Sequence, residues 1–336
     1  MKFYKMMFFN SMILGTLVAV SSYSWMSMWM GLEINLLSVI PLFSSQKNMF
    51  SSESSLKYLI TQAIASSVLL MSVIMLLLVS EFIAPTMNFY FNMTLNSALL
   101  TKLGAAPFHY WFPEVMEGLS WMNCLILLTW QKIAPMTLIM NNHMNSNFLM
   151  AIILTCLITS TFMAFNQISL RKILTFSSIN HIGWMLSSMY MSFSLWTMYF
   201  TVYSLLNLNI ILVFNMTNSF YLNQINNSMN TNKKIKFAFM TNFLSLGGLP
   251  PFIGFLPKWL LINWLITNKF LMIALIIIMI TLVMLYVYIR ITLSSLMMSF
   301  NEPKTINISV NNKTILFINF VTLISLALCT MAFNFL

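Results

Sequence analysis

Eleven apolar runs, each long enough to cross a bilayer, follow one another along the 336 residues with little polar sequence between them. A hydrocarbon layer about 30 Å thick takes roughly 20 apolar residues in a helix. Backbone groups facing lipid must be satisfied within the chain, which leaves helices or a closed barrel. Continuous runs, rather than alternating ten-residue segments, select helices. Only 7% of the residues are charged, against about 25% in a typical soluble domain. The sequence therefore predicts an all-α, polytopic membrane protein, one transmembrane domain over 1–336 with no charged linker dividing it. The expected spans are 3–21, 25–43, 56–79, 93–115, 121–140, 148–165, 173–190, 195–214, 237–266, 270–293 and 315–335. The N-terminal stretch resembles a signal peptide in its basic start but has no clear small-residue cleavage site, so it is read as the first span.

The basic residues orient these spans. An alternating path puts twelve Lys and Arg on the face of the N-terminus, among them Lys2, Lys57, Arg171, Lys172, Lys233 and Arg290, and only Lys269 on the other. Such asymmetry marks the negative side of the membrane. It also accounts for the net charge of +10 as loop anchoring, with no need of a nucleic-acid surface.

Three lysines do not fit that pattern. Lys102, Lys132 and Lys258 lie inside apolar spans, where a charge near the helix centre costs about 2.5–3.5 kcal/mol on insertion scales. Lys132 follows Trp121 by eleven residues, or about 16 Å of helix, close to the bilayer midplane. Glu33 lies about 12 Å into the second span and is the acid read as most clearly buried. Glu53, Glu81, Glu114, Glu117 and Glu302 fall at span ends or in loops, where solvation explains them. Ionisable groups held at depth point to ion or proton traffic.

Two spans are interrupted beside such lysines. Gly104 and Pro107 follow Lys102, and a run from Gly247 to Pro257 precedes Lys258. Proline removes a helix donor and glycine lowers helix propensity, so these breaks must be buried in protein or line a wet cavity. Paired breaks five spans apart are the sequence sign of an inverted-repeat transporter with a midplane site; a packing kink is the plainer alternative.

The remaining candidates carry weaker signals. His181 shares a helical stripe with Ser177, Trp184 and Ser188, which serves either as interhelical glue or as a hydrated proton path. His109 follows the first break, His143 lies in a loop, and Arg171 and Lys172 anchor a span or guard a way in for water. Cys124, Cys156 and Cys329 have no metal or disulfide spacing and read as small buried hydrophobes. No phosphate loop, dinucleotide glycine fingerprint, metal cluster or haem motif is present in the sequence. Methionine is abundant, with 32 residues, beyond what packing requires, which points to a coding bias.

The segments GLEINLLSVIPL, LLTKLGAAPFHYWFPEVMEGL, LLTWQKIAP, LRKILTFSSINHIGWM and NFLSLGGLPPFIGFLPKW resemble, in order, the chain 2 family of mitochondrial NADH:ubiquinone oxidoreductase (respiratory complex I), in its insect-like form. The lysine after FLP is the most specific feature, since the chain 4 family has a glutamate there. The resemblance implies an antiporter-like fold of inverted repeats with two broken helices, in the mitochondrial inner membrane, with the N-terminus in the matrix and the C-terminus towards the intermembrane space. It implies proton translocation along Glu33, Lys102, Lys132 and Lys258, with Glu33 tuning Lys102 and His181 as a less supported intermediate. It implies no cofactor in this chain, since flavin, iron–sulfur clusters and quinone site belong to other subunits. It implies as partners the antiporter-like chain 4, the small chain 4L and lipids such as cardiolipin. A stand-alone cation/proton antiporter and a structural spacer are the alternatives from other classes.

Overall fold

The computed structural model describes residues 3–45, 48–82, 85–142, 145–225, 233–250 and 252–297. The expected eleventh span, Cys329 and His143 lie outside these residues. Among the described residues the chain is helical, with no named strand and a single antiparallel bridge between Ser169 and Tyr221. The helices fall into two compact units, Met1–Cys156 and Leu157 onward.

The first unit opens with α1 (Phe3–Ser21) and α2 (Trp25–Phe43), whose bounds are those read from the sequence. Ser24 starts α2 by accepting a hydrogen bond from the Ser27 amide at 3.3 Å. Small residues let the two helices touch backbone to backbone. A Cβ on Gly31 would stand 2.5 Å from the Ala19 nitrogen, and one on Gly15 2.8 Å from that of Asn35. Close approach of this kind is how helices gain packing in lipid, where no hydrophobic force drives them together. Helix α3 (Met49–Phe82) runs well beyond its predicted 56–79 and packs on α2, α4 (Pro85–Leu103) and the short α5 (Trp111–Gly118).

The fifth span carries an interruption that sequence reading missed. It divides at Thr129 into α6 (Trp121–Leu128) and α7 (Trp130–Asn141). Pro135 has no N–H for the carbonyl of Gln131, and its ring crowds that carbonyl. The break falls two residues before Gln131 and leaves Lys132 in the first turn of α7. Helix α8 (Ser146–Ala164) contains the boundary between the units.

The second unit is built around α9 (Leu170–Met191), buried at every position from Ile173 to Ser188. Its hydroxyls turn back onto their own helix, as Ser177 does to Leu174 O at 2.7 Å and Ser188 to Met185 O at 2.7 Å, so that a polar helix can be enclosed. Around it stand α10 (Phe193–Thr217), α11 (Lys233–Gly247), α12 (Phe255–Thr267) and α13 (Leu271–Met297), with α10 touching α9, α11 and α12.

Seven described segments are long and apolar enough to cross a membrane on those criteria alone. The predicted spans that fail are the fourth, seventh and ninth, and these carry Lys102, His181 and Lys258. Polar side chains or helix breaks keep these three from qualifying, whereas the spans of Glu33 and Lys132 do qualify.

Candidate functional site

The two broken helices are built alike. At α4, Gly104 takes a left-handed φ of 72°, its amide bonds Thr101 O at 3.1 Å, and the Ala105 amide bonds Leu100 O at 3.1 Å. At α11, Gly248 has φ 78°, its amide bonds Ser245 O at 3.0 Å, and Leu249 bonds Leu244 O at 3.4 Å. Both are Schellman endings, for which glycine bears no Cβ penalty. The correspondence continues at a constant offset, since Phe108 to Ala105 O (2.8 Å) is matched by Phe252 to Leu249 O (2.9 Å). Each unit therefore holds one copy of a break motif. Its chemistry is not repeated: Leu246 stands where Lys102 is, and Lys258 where Glu114 is.

Lys102 sits in the last turn of α4 and is buried, 7% exposed. A polar cavity of about 20 Å³ joins it to Asn35, Tyr58, Gln62 and Gln131, enough for about one water. Three of these residues form a chain across helices: Tyr58 donates to Gln131 Oε1 at 3.3 Å and Gln131 to Asn35 Oδ1 at 3.0 Å. Gln62 Nε2 reaches the Lys102 carbonyl at 3.4 Å, one of the groups freed by the break.

Glu33 lies two residues before Asn35 on α2, half-buried, and is the carboxylate within electrostatic reach of Lys102. One Glu33 carboxylate oxygen and the Lys102 amine are buried without a direct hydrogen bond among the described residues. Tyr58, Gln62, Gln131 and Asn35 were not singled out from the sequence. The signal was there: Tyr58 and Gln62 are four apart on one face of α3, and Gln131 adjoins Lys132.

Lys132 is 2% exposed, with its amine 5.8 Å from the Phe112 ring centroid and within electrostatic reach of Cys156. Cys156 also closes the α4 break, accepting from the Ala106 amide at 3.2 Å, while the Thr155 hydroxyl donates to Ala106 O at 3.2 Å. Cys124 and Cys156 are thus buried and hydrogen-bonded to backbone. His109 is buried at 3% and stacked on Tyr110, with centroids 4.6 Å apart. Glu53 and Glu114 are not merely solvated ends: both pair with Lys57, at 3.1 Å within α3 and at 3.0 Å from α5 to α3.

In the second unit, Lys258 on α12 folds back over the break. Its amine donates to Leu246 O at 3.2 Å and Gly247 O at 3.1 Å. In an unbroken helix these carbonyls would accept from residues 250 and 251, both prolines without an N–H. The lysine supplies the donors that the prolines lack. Its amine also stands 5.7 Å from the Trp184 ring. His181, 5% exposed, bonds the Tyr199 hydroxyl at 2.8 Å and lies 5.1 Å from the Tyr203 ring. It lines the same hollow as Lys258, Asn180 and Tyr288. The structure thus gathers Glu33 and Lys102 in one cluster with Lys132 nearby on α7, and His181 and Lys258 in another. Among the described residues no cluster of His, Cys, Asp or Glu could hold a metal.

The family model described as "NADH:quinone oxidoreductase/Mrp antiporter, TM" matches residues 22–284. The NADH-ubiquinone oxidoreductase chain 2 of Anopheles gambiae is 48% identical over 331 residues, covering 97% of each chain. That of Locusta migratoria is 43% identical, covering 99% of this chain and 97% of the relative. Among solved structures, a chain of respiratory complex I from Thermus thermophilus superposes with a TM-score of 0.85 at 21% identity, covering 98% of this chain and 78% of that one. This last likeness concerns the fold.

Proposed function

We propose that this chain, which belongs to the NADH-ubiquinone oxidoreductase chain 2 family, moves protons across the mitochondrial inner membrane through Glu33, Lys102, Lys132 and Lys258, with His181 beside Lys258. It is an antiporter-like membrane-arm subunit of respiratory complex I, the proton-translocating NADH:ubiquinone oxidoreductase. Electron transfer and its cofactors belong, on this reading, to other subunits. Chain 4, chain 4L and inner-membrane lipids such as cardiolipin are its neighbours. The basic asymmetry puts the N-terminus in the matrix and the C-terminus towards the intermembrane space.

One observation carries the reading: a buried amine and a buried carboxylate oxygen, Lys102 and Glu33, share electrostatic reach without direct contact. A locked ion pair would hold its proton. A pair held apart, with a water-sized cavity beside Lys102, can tighten or loosen, and so alter the proton affinity of Lys102. Lys132, on the helix that brings Gln131 into the same cavity, is the lateral relay. Lys258 has two carbonyl acceptors, and a neutral amine still has two N–H donors. It can therefore release its third proton without abandoning the break it closes. Moving one charge against 100 mV requires about 2.3 kcal/mol, which redox chemistry elsewhere in the complex supplies.

Glu33→Gln and Lys102→Ala, made in a tractable homologue and assayed for proton uptake in vesicles, test this. Lys102→Ala should abolish the uptake that depends on this subunit. Glu33→Gln should only weaken it, because it removes the tuner and keeps the carrier. Unimpaired pumping by Lys102→Ala would overturn the reading.

A further inference from the structure

Opposite charges buried within electrostatic reach draw together, because little water screens them. The Lys102 amine nevertheless bonds no group among the described residues, Glu33 included, so the separation needs a cause. Helix α3 packs both on α2, which carries Glu33, and on α4, which carries Lys102. Three of its residues, Tyr58, Gln62 and Ser66, stand one turn apart on a single face, and each is tied to one side of the pair. Gln62 Nε2 donates to the carbonyl of Lys102 at 3.4 Å. The Ser66 carbonyl accepts from the Trp29 indole at 3.3 Å, and Trp29 lies one turn before Glu33 on α2. Tyr58 reaches Asn35, two residues after Glu33, through Gln131. Glu33 is thus bracketed on its own helix by two contacts that lead to α3, and the backbone of Lys102 is held from the same helix.

Both backbones are held from other sides as well. Gly31 brings α2 onto α1 at Ala19, and the Trp111 indole donates to Thr101 O at 3.1 Å. The last turn of α4 is therefore fixed at two successive carbonyls, which leaves the Lys102 side chain as the part that can swing. The second unit makes the contrast plain. There Leu246 O, at the position of Lys102 O, accepts from an ionisable group, the Lys258 amine. In the first unit a neutral amide does this, so that carbonyl keeps its donor whatever the charge on Lys102.

We propose that α3 is the spacer that keeps the Glu33 carboxylate and the Lys102 amine from closing into a fixed ion pair, with Trp29 and Gln62 as its positioning residues. This role rests on the reading of Glu33 and Lys102 as a tunable pair, and adds what keeps them apart. If either contact is lost, one helix turn gains freedom to move, the charges meet, and Lys102 keeps its proton.

Trp29→Phe keeps an aromatic ring without the indole donor, and Gln62→Met keeps the length without the amide. Each, in the intact complex of a mutable homologue, should assemble and shift the pair towards contact about two- to tenfold, the scale of one hydrogen bond. Proton uptake that depends on this subunit should fall by a like factor, and a cryo-EM map should show amine and carboxylate within about 4 Å. The decisive arm adds Glu33→Gln. If the loss comes from a closed pair, Trp29→Phe with Glu33→Gln should pump no worse than Glu33→Gln alone, whereas a merely structural role makes the losses add. Undiminished pumping by both single variants, additive losses in the double variant, or failure of both single variants to assemble would each overturn the spacer. Full pumping by Lys102→Ala would instead remove the carrier and leave the closed pair in the Trp29→Phe map standing, so the two failures are distinguishable.

Discussion

Gly247 and Gly248 are neighbours, yet the structure predicts opposite responses to the same methyl group. Gly248 has φ 78°, and an added Cβ would lie 2.9 Å from Lys258 Cδ and 3.0 Å from its Nζ. Alanine there costs about 1–2 kcal/mol for the left-handed backbone. It also pushes the lysine off Leu246 O and Gly247 O, and two hydrogen bonds at about 0.5–1.5 kcal/mol each bring the loss to roughly 2–5 kcal/mol. Gly247 closes α11 without a left-handed φ, and its added Cβ would meet Tyr288 Cδ2 at 3.5 Å, an ordinary contact. Alanine at that position gains about 0.5–1 kcal/mol in helix propensity. Thermal inactivation of the solubilised complex, with proton uptake in vesicles, separates the two: Gly248→Ala should inactivate at lower temperature and pump poorly, whereas Gly247→Ala should do neither. Equal behaviour, or a worse Gly247→Ala, would refute the account of the break.

Other expectations follow from the first unit. Gln131→Leu strands the buried Asn35 Oδ1, at about 1–3 kcal/mol, and should lower proton uptake more than NADH oxidation by an acceptor that bypasses the membrane arm. Gly31→Val places a side chain 2.5 Å from the Ala19 nitrogen, so α1 and α2 cannot close; complex recovered by native gel should fall sharply, with no pumping phenotype separable from that loss.

Much of this architecture was legible because lipid leaves few options. The bounds of α1 and α2 are written in apolar runs ended by serines, and the breaks at Gly104 and Gly248 follow from residues that no lipid-facing helix tolerates in such density. The break at Thr129 was missed because no Gly or Pro stands at it; the nearest, Pro135, lies six residues further on inside α7. The acids Glu53 and Glu114 were read by depth alone, and depth does not reveal that Lys57 stands between them. Tyr199, Tyr203 and Tyr288 escaped notice because aromatic residues make up 15% of the chain, so no single hydroxyl stands out until α10 and α13 bring it to α9. Likewise the partners of Lys258 are backbone carbonyls, which carry no sequence signal beyond the prolines that orphan them.

The central claim is that a lysine in this chain must lose its proton to work. Arginine can supply donors to Leu246 O and Gly247 O and keeps the charge, but with a pKa above about 12 it does not become neutral. Protons taken up per NADH oxidised, measured in vesicles holding the complex with Lys258→Arg, therefore test it most directly. The account predicts normal assembly, lost translocation through this subunit and slowed coupled electron transfer. Pumping at the unsubstituted stoichiometry would show that a fixed cation suffices at this position, and would contradict the account.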